Sequence, residues 1–360
     1  MRRISRIFLI LLVINGLAVF APIPATRAQS DCSIIQLTNN SIADESPQID
    51  NGQIVWLGYD GDDYDVFFYD GETITQLTDN SEEETEVRIY DGRVVWQGYD
   101  GDDEEIFLFD GRSVIQITDN DTDDYTPRID ERQIVWYGEA GDDSEIFSYH
   151  DGAIFNVSNN PASYDYDPDT DGGQIVWTGS DGQDNEIFFY DGWNVINLSN
   201  NDQEDLLPKI DEGQVVWETR ESDDIEIFLY DGSNIIQLTD DEEYDLNPQI
   251  DGGQVVWATQ NLRLYLYENG KTIELSNHEA GIYIADFEEP AISDEQVVWT
   301  GETEDGTEIL FYNGSTVSHL GNDHLSGYSP QIDEGQIVWL TFMGEDENTS
   351  EIYMASCGQS

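Results

Sequence analysis

Positively charged side chains are scarce in this sequence. It contains 13 Lys and Arg against 77 Asp and Glu in 360 residues, which gives a formal net charge of −64. Because a protein that binds phosphate groups needs a cluster of cationic side chains, this composition excludes nucleic acid as a partner and disfavours anionic membrane surfaces. Cations, basic proteins and neutral glycans remain as classes of partner for so acidic a surface.

Histidine, cysteine and the common catalytic motifs are also rare or absent. The sequence has only two cysteines and four histidines, and no two histidines are spaced like metal ligands. It has no Gly-x-Ser-x-Gly nucleophile motif, phosphate-binding loop or dinucleotide fingerprint. Carboxylate pairs occur throughout, so no single pair stands out as an acid and base couple. These absences predict that the protein is not an enzyme.

Long apolar runs are confined to the beginning of the chain. Three arginines among the first six residues precede an apolar run over residues 7–13, and residues 26–28 have the pattern of a cleavage site. Asn15 and two prolines interrupt the apolar segment, which disfavours a permanent anchor. The sequence therefore predicts a signal peptide over residues 1–28, one domain over residues 29–360 and no membrane span after cleavage. The mature protein is expected in the periplasm or at the extracellular surface.

What the sequence does contain is a repeat of about 40 residues. The segment Pro47–Trp56 returns almost unchanged as Pro248–Trp257 and Pro330–Trp339. Weaker copies end at five further tryptophans: Trp96, Trp136, Trp177, Trp217 and Trp299. The eight tryptophans are thus 40 to 42 residues apart. Self-similarity at a fixed period of this size indicates a repeat architecture, and the uniform composition of the copies predicts a single domain.

Each repeat is predicted to form four short antiparallel strands, named a to d. In the fifth repeat strand a begins at Pro208, and strands b, c and d cover Gln214–Trp217, Glu226–Tyr230 and Asn234–Thr239. Strands b and c are continuous apolar runs, so both of their faces are expected to be buried. Four-stranded sheets of this kind predict an all-β, eight-bladed β-propeller of antiparallel blades. A parallel β-helix is the less favoured alternative, because its repeat is shorter.

The two ends of the chain predict how the ring closes. The segment from Cys32 to Thr38 has the pattern of a strand d with no strands before it, and Glu351–Cys357 that of a strand c with nothing after it. The N-terminal strand is therefore expected to complete the C-terminal blade. Aligned on the fifth repeat, Cys32 and Cys357 fall in the missing hairpin turn, which predicts a disulfide between them. Two unrelated free thiols are the alternative.

Most of the acidic residues fall in the d–a and b–c loops, which emerge on one face of the ring because successive strands alternate in direction. Asp-rich loops with Gly at a sharp turn bind Ca²⁺ in other folds, since this cation takes six to eight oxygen ligands. The candidate Ca²⁺ ligands are Asp60, Asp62, Asp65, Asp100, Asp102, Asp142, Asp181 and Asp184. Ordinary solvated turns are the alternative, because Asp-Gly is common hairpin chemistry.

Two further sets of residues are candidates for a special role. An Asp recurs three residues before the Pro of the repeat and is expected near the entrance of the central channel, accepting backbone N–H groups that start strand a. These residues are Asp44, Asp124, Asp165, Asp205 and Asp245. Trp193 lies off the pattern in a c–d turn, and Tyr283 and Phe287 lie in the irregular loop after the sixth repeat. These three aromatic residues are candidate contacts for a partner.

The repeat as a whole resembles a known family. Its pattern is Pro-x-Ile-Asp-x-Gly-Gln-Ile-Val-Trp, an acidic loop, Glu-Ile-Phe-x-Tyr-Asp-Gly and Gln-Leu-Thr. This resembles the TolB-type, WD40-like propeller repeats, in particular those of exported bacterial and archaeal surface proteins, from about Cys32 to Cys357. The resemblance implies the propeller fold. Members of the group are mostly binding or scaffold modules, and some gate a neighbouring hydrolase domain. TolB itself has six repeats and an N-terminal α/β domain, so a role in the Tol envelope system is not implied.

These observations together favour a non-catalytic, exported, monomeric propeller. Its acidic loop face is expected to bind a protein or a glycan, and Ca²⁺ is a candidate ligand. The alternative is a propeller enzyme of the cofactor-dependent dehydrogenase or lyase type, which would use the channel face. Known quinone-dependent propeller dehydrogenases are longer and have Trp-docking repeats that this sequence lacks. A third interpretation is a structural module whose ring Ca²⁺ stabilises.

Overall fold

The computed structural model of the protein describes residues 32–40, 42–59, 61–141, 143–160, 164–221, 224–276, 282–285, 289–303, 306–320, 326–342 and 349–357. These residues form 33 strands. Within the described ranges no helix is long and apolar enough to cross a membrane. The predicted signal peptide over residues 1–28 lies outside them.

The strands form eight antiparallel sheets, which are the blades of a β-propeller. Blade 1 consists of β2 (Asp44–Asp50), β3 (Gln53–Tyr59), β4 (Tyr64–Tyr69) and β5 (Ile74–Gln76). Blade 2 consists of β6 (Glu84–Tyr90), β7 (Arg93–Tyr99), β8 (Glu104–Phe109) and β9 (Val114–Gln116). Blade 3 consists of β10 (Asp124–Ile129), β11 (Ile134–Glu139), β12 (Ser144–His150) and β13 (Ala153–Asn156). Blade 4 consists of β14 (Asp165–Asp171), β15 (Gln174–Ser180), β16 (Asn185–Tyr190) and β17 (Val195–Asn197).

The second half of the ring repeats this order with one variation. Blade 5 consists of β18 (Glu204–Asp211), β19 (Gln214–Glu221), β20 (Asp224–Tyr230) and β21 (Ile235–Gln237). Blade 6 consists of β22 (Asp245–Asp251), β23 (Gln254–Thr259), β24 (Leu264–Glu268) and β25 (Lys271–Glu274). In blade 7 strand a is split into β26 (Tyr283–Ile284) and β27 (Ala291–Ser293), which both pair with β28 (Gln296–Thr303); β29 (Gly306–Tyr312) and β30 (Val317–Leu320) follow. Blade 8 consists of β31 (Gly327–Asp333), β32 (Gln336–Phe342), β33 (Ser350–Ser356) and the N-terminal β1 (Ser33–Gln36).

The predicted closure of the ring is confirmed. Strand β1 pairs antiparallel with β33, with Ser33 opposite Ser356, and so provides the outer strand of blade 8. A disulfide joins Cys32 to Cys357, whose Cα atoms lie 4.2 Å apart although 325 positions separate them in sequence. The a strands of neighbouring blades contact one another all round, from β2 through β31 and back to β2. The a strands therefore surround a central axis.

The repeated tryptophans form the core between the blades. All eight are 0 to 2% exposed. In blade 1 the Trp56 ring stacks on Phe67 of strand c at a centroid distance of 5.7 Å. Residues of consecutive blades share each core cluster, as where Phe68 of blade 1 packs with Val87 and Trp96 of blade 2. Because both faces of each blade meet a neighbour, strands b and c are apolar without alternation.

Strand a differs from its prediction. In blade 5 it begins at Glu204, four residues before Pro208, and the pairing register shifts between Leu206 and Lys209. Leu207 at the shift has a φ of 53°, and the same shift recurs in blades 1 to 6 and 8. Such a bulge leaves residues outside the hydrogen-bond ladder, so Pro208 sits inside the strand without removing a ladder bond.

The Asp of the Pro-x-Ile-Asp motif joins neighbouring blades at six of the eight positions; blades 2 and 7 have Tyr90 and Ser293 there. Asp50 Oδ2 accepts a hydrogen bond of 2.6 Å from the backbone N–H of Asp91 in the a–b turn of blade 2. Equivalent bonds run from Glu212 to Asp171, from Gly252 to Asp211 and from Asn51 of blade 1 to Asp333 of blade 8. The repeated motif therefore encodes contacts around the ring as well as the turn itself.

Candidate functional site in the central channel

The channel is lined by the residue that follows the Pro position of each strand a. These residues are Gln48, Arg88, Arg128, Asp169, Lys209, Gln249, Ala291 and Gln331. Four consecutive blades, 2 to 5, thus place a charged side chain at this level. Only nine Lys and Arg occur after residue 28, and three of them lie here. Cations are therefore concentrated on the axis of a protein that is otherwise strongly acidic.

Two arginines in this layer are held by a shared carboxylate. Glu86 Oε2 lies 3.2 Å from Arg88 Nη2 and 3.6 Å from Arg128 Nη1. Each guanidinium also donates to the backbone carbonyl of the residue before it, Arg88 to Val87 at 2.8 Å and Arg128 to Pro127 at 3.0 Å. The two side chains are 28% and 18% exposed. They are therefore fixed in position but still reachable from the channel.

Charges from opposite sides of the ring meet here. Burial among the strands lowers the pKa of Lys209, while Asp169 and Glu289 favour its charged form and Arg128 opposes it. Burial likewise lowers the pKa of Arg88 to about 10, with Arg128 adding to the effect. Burial raises the pKa of Asp167, against the attraction of Lys209 and Arg128. We call the whole set the channel cluster: Glu86, Arg88, Arg128, Asp167, Asp169, Lys209 and Glu289.

The five aspartates predicted near the channel entrance have a different environment. Asp44, Asp124, Asp165, Asp205 and Asp245 are only 0 to 4% exposed. Asp205 Oδ1 accepts a hydrogen bond of 3.0 Å from the indole N–H of Trp217, and Asn201 donates to Oδ2 at 2.6 Å. Indole N–H groups also bond to Asp44, Asp124 and Asp245. The expectation that these carboxylates accept backbone N–H groups is corrected, since the described donors are mainly side chains.

Replacing Asp205 by Ala is expected to lower the free energy of unfolding by about 3 kcal/mol. The substitution leaves the hydroxyl of Thr219 and the side-chain amide of Asn201 without this acceptor, and the buried N–H of Trp217 keeps only the hydroxyl of Thr219 as an acceptor. Urea unfolding followed by tryptophan fluorescence measures the loss. Asp202→Ala is the matched control, because Asp202 is an exposed residue of the same d–a loop and its loss is expected to change stability by less than about 0.5 kcal/mol. Equal effects of the two substitutions would contradict the role of Asp205.

The predicted calcium ligands differ in burial and in their neighbours. Asp62 and Asp102 are exposed in their turns. Asp65 is fully buried, and its carboxylate accepts hydrogen bonds of 2.9 Å from both Gln76 and Thr78. Asp100 lies beside Asp103 and Glu105, and Asp181 beside Asp184 and Glu186. Asp60 and Asp142 lie outside the described residues.

The sequence pattern did not single out Asp103, Glu105 or Glu186. A signal for the two glutamates exists, since a Glu stands five positions after the first Asp of the loop in blades 2 and 4. Burial raises the pKa of both Glu105 and Glu186 to about 7.

The two predicted aromatic contacts that the structure describes, Trp193 and Tyr283, lie in different blades. Trp193 is 90% exposed in a c–d turn, on the face opposite the acidic b–c loops. Tyr283 is half-buried in β26, and Phe287 lies outside the described residues. The two histidines in the described part of the chain are both engaged: His150 stacks on Phe155, and His319 Nδ1 lies 2.5 Å from Glu308 Oε2.

Comparison with known proteins gives fold relatives alone. No protein-family model matches the sequence, and no curated protein matches it. The computationally designed Ika8 protein has a TM-score of 0.61 at 15% identity, over 88% of this chain and 98% of that one. A Mycobacterium tuberculosis puromycin-hydrolyzing peptidase has a TM-score of 0.54 at 14% identity, over 91% of this chain and 61% of the peptidase. The Pyrococcus horikoshii acylaminoacyl peptidase has 0.53 at 13%, over 85% and 58%.

These comparisons correct the functional expectation. The chain spans about three fifths of the length of the two peptidases, and the matched part is their propeller. The prediction of a non-catalytic module that binds a protein or a glycan through its acidic face was wrong, because the natural propellers that it resembles are parts of peptidases. The resemblance to TolB-type repeats of exported proteins stays a prediction beyond the shared propeller fold.

Proposed function

We propose that this propeller serves peptide cleavage. In this proposal its channel binds the charged ends of short peptides and so controls which peptides reach a peptidase catalytic centre. The observation that carries the proposal is the channel cluster, which places three cations and four carboxylates of five blades around one axis. The fold relatives that are peptidases support it.

The chemistry of the channel cluster suits a peptide with free ends. A peptide carboxylate can accept charge-assisted hydrogen bonds from Arg88 and Arg128, which present fixed guanidinium groups. The peptide ammonium can pair with a carboxylate such as Asp169 or Glu289. Because Arg88, Arg128 and Asp169 are partly removed from water, each ion pair that they form with the peptide is stronger than it would be at an exposed surface.

Lys209→Met is expected to weaken the binding of a neutral tripeptide with free ends at least tenfold. The substitution removes a cation from the cluster but keeps the length of its stem. Isothermal titration calorimetry with Ala-Phe-Ala measures the affinity, and the acetylated and amidated form of the same peptide is the ligand control. A tenfold loss corresponds to about 1.4 kcal/mol.

Lys271→Met is the control variant, because Lys271 lies on strand β25 of blade 6, at the exposed c–d turn. It should bind the tripeptide as the unchanged protein does. The proposal is wrong if the blocked peptide binds as tightly as the free one, or if the Lys209 and Lys271 variants behave alike. A protein that does not bind either peptide at millimolar concentration would also overturn it.

We also propose that the protein works outside the cytoplasm. The Cys32–Cys357 disulfide supports this, since such bonds persist in oxidising compartments. Detection of the mature chain, beginning near residue 29, in the periplasmic or culture-medium fraction is the test. Recovery of a full-length chain with a reduced cysteine pair from the cytoplasm would contradict it.

A further inference from the structure

A tight turn in blade 2 brings three carboxylates together. The backbone N–H of Asp100 donates to the carbonyl of Asp103 at 3.1 Å and closes the turn between β7 and β8. Glu105 follows as the second residue of β8. One carboxylate oxygen from each of Asp100, Asp103 and Glu105 lies within 4.8 Å of the others. Oxygens that share one Ca²⁺ at about 2.4 Å are at most about this far apart.

One of these carboxylates is buried with an oxygen that has no donor. Asp103 is 9% exposed, and its Oδ1 accepts no hydrogen bond from any described residue. Glu105 is fully buried and interacts with the side chains of Thr118 and Asp124. A buried carboxylate oxygen without a partner is unfavourable unless a counter-charge satisfies it. The arrangement of the three acids, with this oxygen of Asp103 among them, therefore favours a bound cation.

The remaining oxygens of the group are held in place. Glu105 Oε1 accepts the backbone N–H of Asn120 at 2.7 Å. Asp100 Oδ1 accepts the backbone N–H of Asp102 at 3.1 Å, and Asp100 Oδ2 accepts the side-chain amide of Gln116 at 2.9 Å. These bonds orient two of the carboxylates before any ion arrives. Preorganisation of this kind lowers the cost of binding.

We propose that Asp100, Asp103 and Glu105 form a binding site for a divalent cation of the Ca²⁺ class. The donor set consists of carboxylate oxygens, which such hard cations prefer over nitrogen or sulfur ligands. Water completes the coordination sphere on the exposed side, where Asp100 faces solvent. The site lies on the loop face and is separate from the channel cluster.

Blade 4 repeats the arrangement in a weaker form. Asp181, Asp184 and Glu186 again bring oxygens within 4.8 Å of one another. Glu186 accepts hydrogen bonds from the hydroxyl of Ser199 and the backbone N–H of Asn201. Asp184 Oδ1 is a buried oxygen without a donor, but the Asp184 side chain is only half-buried. This second site is expected to bind the same cation less tightly.

Blade 3 provides a natural control within the same chain. Ala140 stands where blade 2 has Asp100, and its N–H closes the same turn on the carbonyl of Asp143 at 2.9 Å. Ser158 donates to Glu145 Oε2 at 2.5 Å, so the acid that corresponds to Glu105 is satisfied. Blade 3 therefore has the turn and two of the acids but not the third carboxylate.

The test is calorimetric titration of the full chain with CaCl₂, and then with MgCl₂, at constant ionic strength. An Asp184→Asn background removes the weaker site, so that one saturable event remains. Asp103→Asn in this background is expected to lower the Ca²⁺ affinity at least tenfold, whereas Asp143→Asn, at the matching position of blade 3, leaves it unchanged. Thermal unfolding without added cation checks that both variants are folded.

The proposal is overturned if the two variants lose equally little Ca²⁺ affinity, or if the protein binds Ca²⁺ and Mg²⁺ with equal affinity. Either result would indicate diffuse attraction of cations by the net charge.

Discussion

Raising the pH from 5 to 8 is expected to lower the free energy of unfolding by at least about 3 kcal/mol. Burial raises the pKa of several carboxyl groups near the starts of strands a and c: Glu84, Glu186 and Glu226 to about 7, and Asp245 to about 8. The folded state therefore binds more protons than the unfolded chain over this range. Because each pKa unit corresponds to about 1.4 kcal/mol, one Glu raised from 4.5 to about 7 contributes roughly 2.5 kcal/mol of this loss between pH 5 and 8, and the other groups add to it.

This dependence of the unfolding free energy on pH is opposite in direction to that of proteins that unfold in acid. A raised folded-state pKa gives stability that is complete below the ordinary carboxyl range, near pH 4, and is lost as the pH rises to 7 or 8. Urea unfolding at pH 5, 6, 7 and 8 and fixed ionic strength measures the trend. Repeating the series at high salt separates the contribution of the buried carboxyl groups from that of long-range repulsion, since salt screens exposed charges far more than buried ones.

Glu226→Gln is the variant that tests the assignment. Glu226 is 2% exposed, and its Oε1 accepts the backbone N–H of Asp241, a bond that an amide oxygen can keep. The variant should lose less stability than the unchanged protein between pH 5 and 8. Glu221→Gln, at the half-buried end of β19, is the control and should follow the parent. Stability that rises or stays level from pH 5 to 8 would contradict the burial of these acids.

Removing the Cys32–Cys357 disulfide is expected to cost on the order of 3 to 5 kcal/mol of unfolding free energy. The bond closes a loop across 325 positions, and the loss of chain entropy in the unfolded state grows with loop length. Strand β1 is held to blade 8 by its hydrogen bonds with β33 but is poorly buried, because it consists of four residues and its two apolar side chains, Ile34 and Ile35, are 37% and 48% exposed. The disulfide is therefore expected to add substantially to the ladder at the closure of the ring.

The double variant with Cys32→Ser and Cys357→Ser is the form to measure. Urea unfolding of this variant against the oxidised parent gives the difference in free energy. The same parent treated with reductant should match the double variant, which controls for the serine substitutions themselves. A change of less than about 0.5 kcal/mol would show that strand pairing alone closes blade 8 and would contradict the expected role of the bond.

The fold could be predicted because its determinants recur locally. Trp56 and its seven equivalents mark each blade, and the continuous apolar strands indicate burial on both faces. Cys32 and Cys357 could be paired because the repeat itself shows which hairpin turn is missing. The start of strand a does not follow from the sequence, because Pro208 predicts a strand boundary whereas a bulge accommodates it inside the strand.

The site depends on closure of the ring, which local patterns do not describe. Arg88 and Lys209 are 121 positions apart and become neighbours only because their blades face one axis. The bond between Asp205 and Trp217 depends on the pairing of strands a and b, so the aspartate was placed in the right repeat position but given the wrong donors. Alternation along the loop favours Asp102 over Asp103, because it does not show that the turn buries Asp103 and exposes Asp102.

The most direct test of the proposed function is a crystal structure of the protein soaked with a tripeptide that has free ends. The account predicts the peptide in the central channel, with its carboxylate at Arg88 and Arg128 and its ammonium beside Asp169 or Glu289. An empty channel at saturating peptide, or a peptide bound on the acidic loop face alone, would contradict it.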